Sequence, residues 1–212
     1  MNKKIIKKLD DKKEKYQLIN KYFFLFYETI KLFIDTIAQG KMIYICGNGG
    51  SSCDAEHLAS EFVKNYKLKI SNNKINSKIN ETDYNKYDFL KKLQSGLPVI
   101  SLNNIGAITA ISNDIDYEVC FAQQVVAYSK KNDLIIHLST SGTSKNIINS
   151  IIVAKILECK TIILRGNKNN CIDCDVDVDF VIDECQTDLI QIEMFKIIHI
   201  ICEIVEELVY EK

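Results

Sequence analysis

The sequence predicts an α/β protein, a single-domain doubly wound parallel sheet of about five strands with an extra N-terminal helix. Short continuous apolar runs recur along the chain, as in strands that are buried on both faces of a parallel sheet. Segments with helical spacing of apolar residues alternate with these runs, which is the order that covers such a sheet with helices. A length of 212 residues and a hydrophobic content of 47% suit one domain with a substantial core.

The first predicted element is helical and unusually rich in apolar side chains. Residues 3–39 have the pattern of one or two amphipathic helices, and Gly40 is expected to end them. A helix that precedes the first strand has no role in a βαβ unit. We therefore expect this N-terminal helical segment, residues 1–40, to serve oligomerisation by packing against a partner subunit.

The remaining elements alternate between strand and helix, as the fold requires. Strands are predicted at residues 42–46, 99–102, 134–138, 161–164 and 180–182. Helices are predicted at residues 52–66, 105–112, 117–128, 145–157 and 188–210. Residues 67–93 are rich in Lys and Asn and poor in apolar residues, so they are expected to form a surface insert within the single domain 1–212.

Composition and charge exclude several classes of partner. With 27 basic and 28 acidic residues the net charge is −1, so no overall field attracts nucleic acid. No apolar run is long enough to cross a bilayer, and the basic N-terminus leads into a charged helix rather than an apolar signal segment. We therefore expect a cytoplasmic protein with no nucleic-acid partner and no membrane partner.

The eight cysteines are interpreted as reduced thiols. Most lie in apolar strands or helices, where a thiol behaves as a small hydrophobic side chain, and a cytosolic chain keeps its thiols reduced. Cys171 and Cys174 have the spacing of metal ligands, with Cys185 further along. A structural metal site there is the less favoured interpretation, because no fourth good ligand lies nearby in the sequence.

A glycine-rich loop follows the first predicted strand. Gly47, Gly49 and Gly50 allow backbone N–H groups to approach an oxyanion closely. Ser51 and Ser52 then cap a helix whose N-terminus favours negative charge. The spacing matches neither a dinucleotide fingerprint nor a P-loop. A phosphate-binding loop is the favoured interpretation, and a plain tight turn into a helix is the alternative.

A second loop, rich in hydroxyl groups, follows the third predicted strand. Its hydroxyl residues are Ser139, Thr140, Ser141, Thr143 and Ser144. One of them would suffice as a helix N-cap, so the set favours a phosphate site, with an over-furnished cap as the alternative. Ligands of open parallel sheets bind at the carboxyl ends of the strands, where both loops are predicted to lie.

Four further side chains have the chemistry of a metal site or of an acid/base pair. His57 and Glu61 are four residues apart on one predicted helix, and Gln191 and His199 are eight apart on another, so each pair shares a helix face. Such a set can bind a divalent metal or move a proton. Taken singly, the residues have simpler interpretations, namely a surface ion pair, a solvated Gln and a core His. His137, in a buried strand, is interpreted as structural. Together with the two loops, the set predicts an enzyme that acts on a sugar phosphate.

These motifs, in this order, resemble the phosphoheptose isomerases of the sugar isomerase (SIS) fold, which is flavodoxin-like. The similar segments are residues 46–61, 111–114, 138–146 and 187–191, together with His199. The resemblance covers the chain from about residue 21 onward, apart from the insert. The SIS loops are shared by many sugar-phosphate proteins, whereas the set of His, Glu and Gln residues is more specific.

The resemblance implies conversion of sedoheptulose 7-phosphate to D-glycero-D-manno-heptose 7-phosphate through an enediol, in heptose biosynthesis for lipopolysaccharide or capsule. Glu61 and His199 become the acid/base residues. A Zn²⁺ cofactor is implied, with His57, Glu61, Gln191 and His199 as ligands. The implied substrate contacts are Asn48, Gly49, Gly50, Ser51, Asn113, Asp114, Ser139, Thr140, Ser141, Ser144, Asp188 and Gln191. The implied assembly is a homotetramer with active sites between subunits.

Two alternatives stay open at this point. An SIS-fold regulatory protein that binds the replication initiator would keep the hydroxyl loop without needing Glu61 and His199. An isomerase or sensor for another sugar phosphate would use the same pocket, because the fold alone does not select the sugar.

Overall fold

A computed structural model describes residues 1–72, 77–78, 86–168 and 174–210. Its strands are β1 (Ile43–Gly47), β2 (Val99–Ser101), β3 (Leu134–Ser139), β4 (Lys160–Gly166) and β5 (Val178–Ile182). They form one sheet in the order β2-β1-β3-β4-β5, and every neighbouring pair is parallel. This is the flavodoxin-like strand order, so the predicted fold class and number of strands are confirmed.

Helices cover both faces of this sheet. They are α1 (Lys3–Lys12), α2 (Gln17–Lys21), α3 (Phe23–Ala38), α4 (Gly50–Val63), α5 (Ile105–Asp114), α6 (Cys120–Tyr128), α7 (Lys145–Ile156) and α8 (Thr187–Tyr210). Short 3-10 helices span Asp88–Lys92 and Tyr117–Val119. The predicted elements agree with these to within a few residues at each end, apart from the N-terminal segment, which forms three helices.

The side chains of β1 show how the two faces are filled. Successive residues of a strand point to opposite faces, so Ile43 and Ile45 enter one core while Tyr44 and Cys46 enter the other. Helices α1 to α4 and α8 pack on the first core, and α6 and α7 pack on the second. Both faces of β1 and β3 are buried, which explains their continuous apolar sequences.

The N-terminal segment packs on its own chain. Ile5, Leu9, Ile19 and Phe26 are buried in the first core, and the Phe26 ring meets Phe180 of β5 at 5.3 Å between centroids. The apolar residues that led us to expect a partner subunit thus contact the sheet and α8 of the same chain. Its role in oligomerisation stays a prediction.

Other expectations concern the surface and the cysteines. In the described part of the insert every residue is at least partly exposed, whereas residues 73–76 and 79–85 lie outside the description. The seven described cysteines are free thiols, and Cys171 lies outside the described residues. Within the described ranges, no helix combines the length and the apolar character needed to cross a membrane.

Candidate active site

The two loops meet at the point where the direction of the chain along the sheet reverses. From β1 the chain crosses to β2 on one side, and it then returns to β3 on the other side. Gly47 at the end of β1 pairs with Leu138 near the end of β3, so the loops that follow are neighbours. Asn48 and Asn146 join them through reciprocal amide hydrogen bonds of 2.8 and 2.9 Å. This topological switch point is where open α/β sheets bind ligands.

The first loop owes its shape to glycine. Gly49 has φ +54°, a left-handed conformation that favours glycine, and it directly precedes α4. At Gly50 a Cβ atom would lie 3.1 Å from Oε1 of Gln191, so the loop backbone closely approaches α8. Asn103 holds the base of the loop, because its amide donates to the Gly47 carbonyl (2.6 Å) and accepts from the Gly47 N–H (3.2 Å).

In the second loop, two hydroxyl groups bond to the loop backbone and the N-cap serine makes no capping hydrogen bond. The Ser139 hydroxyl accepts from the Gly142 N–H at 3.1 Å, and the Ser141 hydroxyl accepts from the Thr143 N–H at 3.2 Å. Ser144 is the N-cap residue of α7, yet its side chain makes no capping hydrogen bond. The loop therefore places hydroxyl groups and a helix N-terminus beside β1, an arrangement suited to an anion.

The histidine pair joins α4 to α8. Nε2 of His57 lies 2.9 Å from Nε2 of His199. Nδ1 of His199 lies 3.0 Å from the carbonyl oxygen of Phe195. Because a carbonyl only accepts, the proton of the neutral His199 ring is on Nδ1, and its Nε2 accepts from Nε2–H of His57. The predicted convergence of the two helices at these histidines is therefore present in the fold.

Aromatic rings and burial set the state of His199. Phe195 meets the His199 ring edge-on at 4.4 Å, and Tyr66 stacks on it at 5.7 Å. Burial lowers the pKa of the His199 imidazole, and the nearby His57 lowers it further. The neutral form, whose Nε2 lone pair can accept a proton or bind a metal, is therefore favoured near neutral pH.

Two carboxylates border the pair. Oε1 of Glu61 lies 3.9 Å from Nε2 of His57, while its other oxygen accepts from Nζ of Lys64 at 2.5 Å. Asp54, one turn before His57, accepts a short hydrogen bond from the side-chain amide of Gln191. Burial raises the pKa of the Asp54 carboxyl, and the Gln191 hydrogen bond opposes that shift. Gln191 thus contacts Asp54 and the first loop.

The other predicted substrate contacts lie around this centre. Ser51 is buried in the first turn of α4, and Thr140 is half-buried in the hydroxyl loop. Asn113 and Asp114 are exposed at the end of α5, where they hydrogen-bond each other at 2.8 Å. Asp188 is exposed in the first turn of α8. Their contacts with a substrate stay predictions.

Sequence reasoning missed three residues of this site. Asp54 lies on the same face of α4 as His57 and Glu61, and Phe195 is one turn before His199, so helical spacing could have found both. Tyr66 follows the end of α4, and no periodicity links it to the site. Within the described part of the chain, no three or more His, Cys, Asp or Glu side chains are grouped so as to hold a metal ion.

Comparisons with known proteins find relatives over most of the chain. No protein-family model matches the chain. A phosphoheptose isomerase of Helicobacter pylori is 37% identical over 180 residues, which cover 84% of this chain and 81% of that protein. A phosphoheptose isomerase of Thermodesulfovibrio yellowstonii is 34% identical over 198 residues, covering 93% and 87%.

A solved structure supports the fold. The phosphoheptose isomerase from Francisella tularensis superposes with a TM-score of 0.69 at 24% identity, over 90% of this chain and 97% of that one. Identity above 30% over more than four fifths of the curated relatives shows common descent along nearly the whole domain. The chain therefore belongs to the phosphoheptose isomerase family.

Proposed function

We propose that this protein interconverts sedoheptulose 7-phosphate and D-glycero-D-manno-heptose 7-phosphate, as an aldose-ketose isomerase of heptose biosynthesis for lipopolysaccharide or capsule. The observation that carries the proposal is the convergence of His57, His199 and Glu61, two of which lie on the helix that begins at the glycine loop. This reaction moves a proton between C1 and C2 of the sugar through an enediol, so it needs a base near carbon and a proton donor near oxygen.

Glu61 and His199 are the proposed acid/base residues. Nε2 of His199 carries the lone pair, since Nδ1–H is held by the Phe195 carbonyl. The Glu61 side chain is only 13% exposed, and one of its oxygens faces His57 while Lys64 holds the other. The two groups come from different helices, α4 and α8.

The phosphate of the substrate is proposed to bind the hydroxyl loop. Ser139, Thr140, Ser141 and Ser144 supply hydroxyl groups, and α7 adds the partial positive charge of its N-terminus. The glycine-loop amides and Ser51 are proposed as further phosphate or substrate contacts, and Asn48 would line the pocket. Asn113, Asp114, Asp188 and Gln191 complete the proposed substrate contacts.

A zinc ion is proposed at the histidine pair. Tetrahedral zinc with Zn–N bonds of 2.0–2.1 Å places its ligands roughly 3.3 Å apart. The imidazole nitrogens are 2.9 Å apart and His57 is 3.9 Å from Glu61, and these donor types suit zinc. The described residues do not group three such side chains as a metal site, so binding requires the ligands to rearrange. Bound zinc would polarise the substrate carbonyl. Gln191, the fourth proposed ligand, would first release Asp54.

A homotetramer with sites between subunits is also proposed. The support comes from apolar side chains that the described chain leaves exposed. None of the residues of α5 is buried, and Ile105 at its start is 77% exposed. On the N-terminal segment, Phe24 is 70% exposed. Large apolar side chains exposed in this way are ones that a subunit interface would cover. A cytoplasmic location stays a prediction.

The activity is tested with the proposed substrate itself. Purified protein is incubated with sedoheptulose 7-phosphate, and the anomeric proton of the aldose product is followed by NMR. Fructose 6-phosphate serves as a second ketose substrate, and the Glu61→Gln variant is the matched control. We expect product from the heptulose alone. No product from either sugar contradicts the proposal, whereas product from fructose 6-phosphate only would indicate another sugar. The alternative of a regulator that binds the replication initiator gains no support from the relatives.

A further inference from the structure

Tyr66 contacts the proposed acid/base imidazole but has no part in the reaction outlined above. It lies three residues beyond the end of α4, and its ring is nearly parallel to that of His199, with 26° between the planes. On another side, Phe195 meets the same imidazole at 83°. The His199 ring is thus held by two aromatic neighbours that come from different parts of the chain.

The backbone of Tyr66 is fixed to the helix that carries His199. The buried carboxylate of Glu206 accepts from the backbone N–H groups of Tyr66, Lys67 and Leu68 at 2.6, 2.8 and 2.9 Å. Glu206 lies two turns after His199 on α8. Hydrogen bonds to a charged acceptor are roughly twice as strong as neutral ones. The position of Tyr66 relative to His199 is therefore set by α8 itself.

A second buried carboxylate extends this attachment. Glu203, one turn after His199, accepts from Nζ of Lys12 at 2.7 Å and from the hydroxyl of Tyr16 at 2.5 Å. It also pairs with Lys67, the residue that follows Tyr66. The N-terminal segment and the start of the insert are therefore tied to the same two turns of α8.

Tyr66 and His199 also border open space. Both residues line an open pocket of about 530 Å³, together with Tyr16 and the first residues of α2. A smaller space, lined by Tyr66 and Glu61, lies beyond the tyrosine. Without the Tyr66 ring, the imidazole of His199 would have space to rotate away from His57.

We propose that Tyr66 is a positioning residue for the isomerisation, whose ring keeps Nε2 of His199 turned toward His57. The ring does this by contact, so the phenol hydroxyl is not required. This inference rests on the role proposed for His199. It identifies the segment after α4, a part of the chain without any motif, as a determinant of turnover.

The test compares Tyr66→Leu with Tyr66→Phe in the full chain. We expect Tyr66→Leu to lower kcat about 10-fold to 10²-fold while KM stays within about twofold, because misplacing a catalytic group by about 1 Å can cost 10²-fold. Tyr66→Phe should stay within about twofold of the parent. A readout independent of activity is the NMR signal of the His199 ring proton on Cε1. That signal should move in the Leu variant and stay in place in the Phe variant.

Each outcome decides between the two proposals. A folded Tyr66→Leu variant with parental kcat, or a Phe variant as slow as the Leu variant, overturns the positioning role. If His199→Asn abolishes turnover in the same assay, the failure concerns Tyr66 alone. If His199→Asn keeps full turnover, the proposed role of His199 falls and the inference falls with it. Glu206→Gln, which keeps the ring and weakens its attachment, should lower kcat less than Tyr66→Leu.

Discussion

The central strand β3 and helix α8 each carry a histidine, and the two differ in their surroundings. His137 is fully buried in β3, where Nδ1 lies 3.2 Å from a backbone carbonyl and Nε2 lies 3.1 Å from the Ser150 hydroxyl. His199 also lies against a carbonyl through Nδ1, but its Nε2 faces His57. Both nitrogens of His137 are used within the core, whereas Nε2 of His199 can take part in chemistry. The surroundings of the second nitrogen separate a structural histidine from a candidate catalytic one.

The largest effect should come from the acid/base pair. We expect His199→Asn and Glu61→Gln each to lower turnover by about 10²–10⁴-fold without unfolding the protein, because general acid–base catalysis contributes about that much. His137→Gln, the matched control, should keep turnover and change stability. Turnover of sedoheptulose 7-phosphate and thermal unfolding are measured on all three variants. Near-parental turnover in folded His199→Asn or Glu61→Gln would refute the role of that residue.

Zinc binding should also distinguish the histidines of the proposed site from His137. We expect purified protein to contain less than one zinc per chain, because Gln is a weak ligand, and we expect chelation to lower turnover and added zinc to restore it. Zinc content should fall in His57→Ala and stay unchanged in His137→Gln. Elemental analysis after zinc loading and dialysis measures both. Protein that binds no zinc and is fully active in chelator would leave these residues as polar pocket groups only.

Lowering the pH should reduce the stability of the fold, because the buried His137 is held in its neutral form. Burial lowers the pKa of His137 to about 4, against an ordinary value near 6.5. Between these pH values the unfolded chain binds the proton and the folded chain does not, so stability present above pH 6.5 is lost as pH falls toward 4. The full loss is about 3 kcal/mol, from about 1.4 kcal/mol per unit of pKa. Urea unfolding at pH 7 and pH 5 should show a smaller decrease for His137→Gln than for the parent, and equal decreases would contradict the assignment.

A similar contrast separates two helices that are both rich in apolar residues. Helix α3 buries Phe26, Ile30 and Phe33 within its own chain, whereas α5 buries none of its residues. We therefore expect Ile105→Asp to shift the protein from a tetramer to smaller species in light scattering, with little effect on monomer stability. Phe24→Asp is the matched change on the N-terminal segment. If only Phe24→Asp dissociates the protein, the interface lies at the N-terminal segment. A monomeric parent would exclude an interface at either helix. Deleting residues 1–38 is a poor test, because it removes part of the core.

Periodicity and chain order predicted most of the fold. The apolar runs of β1 and β3 predicted the sheet, and the glycine and hydroxyl loops predicted the end of it at which we propose that the substrate binds. The helical spacing of His57 with Glu61 indicated the face of α4 to which we assign the acid/base chemistry. The N-terminal segment was interpreted as a partner contact, because the sequence does not show that β5 and α8 offer it a surface. Tyr66 was missed because its position depends on Glu206, a contact between residues 140 positions apart.

The long separation between His57 and His199 has a consequence for how the protein is made. The two residues are 142 positions apart, and His199 lies on the last described helix. Chains emerge from the ribosome N-terminus first, so both anion loops are complete before the second imidazole has been translated. Contacts between such distant residues also form slowly. A nascent or truncated chain that lacks α8 lacks both His199 and the core residues of that helix, so we expect turnover only after the whole domain has been synthesised and has folded.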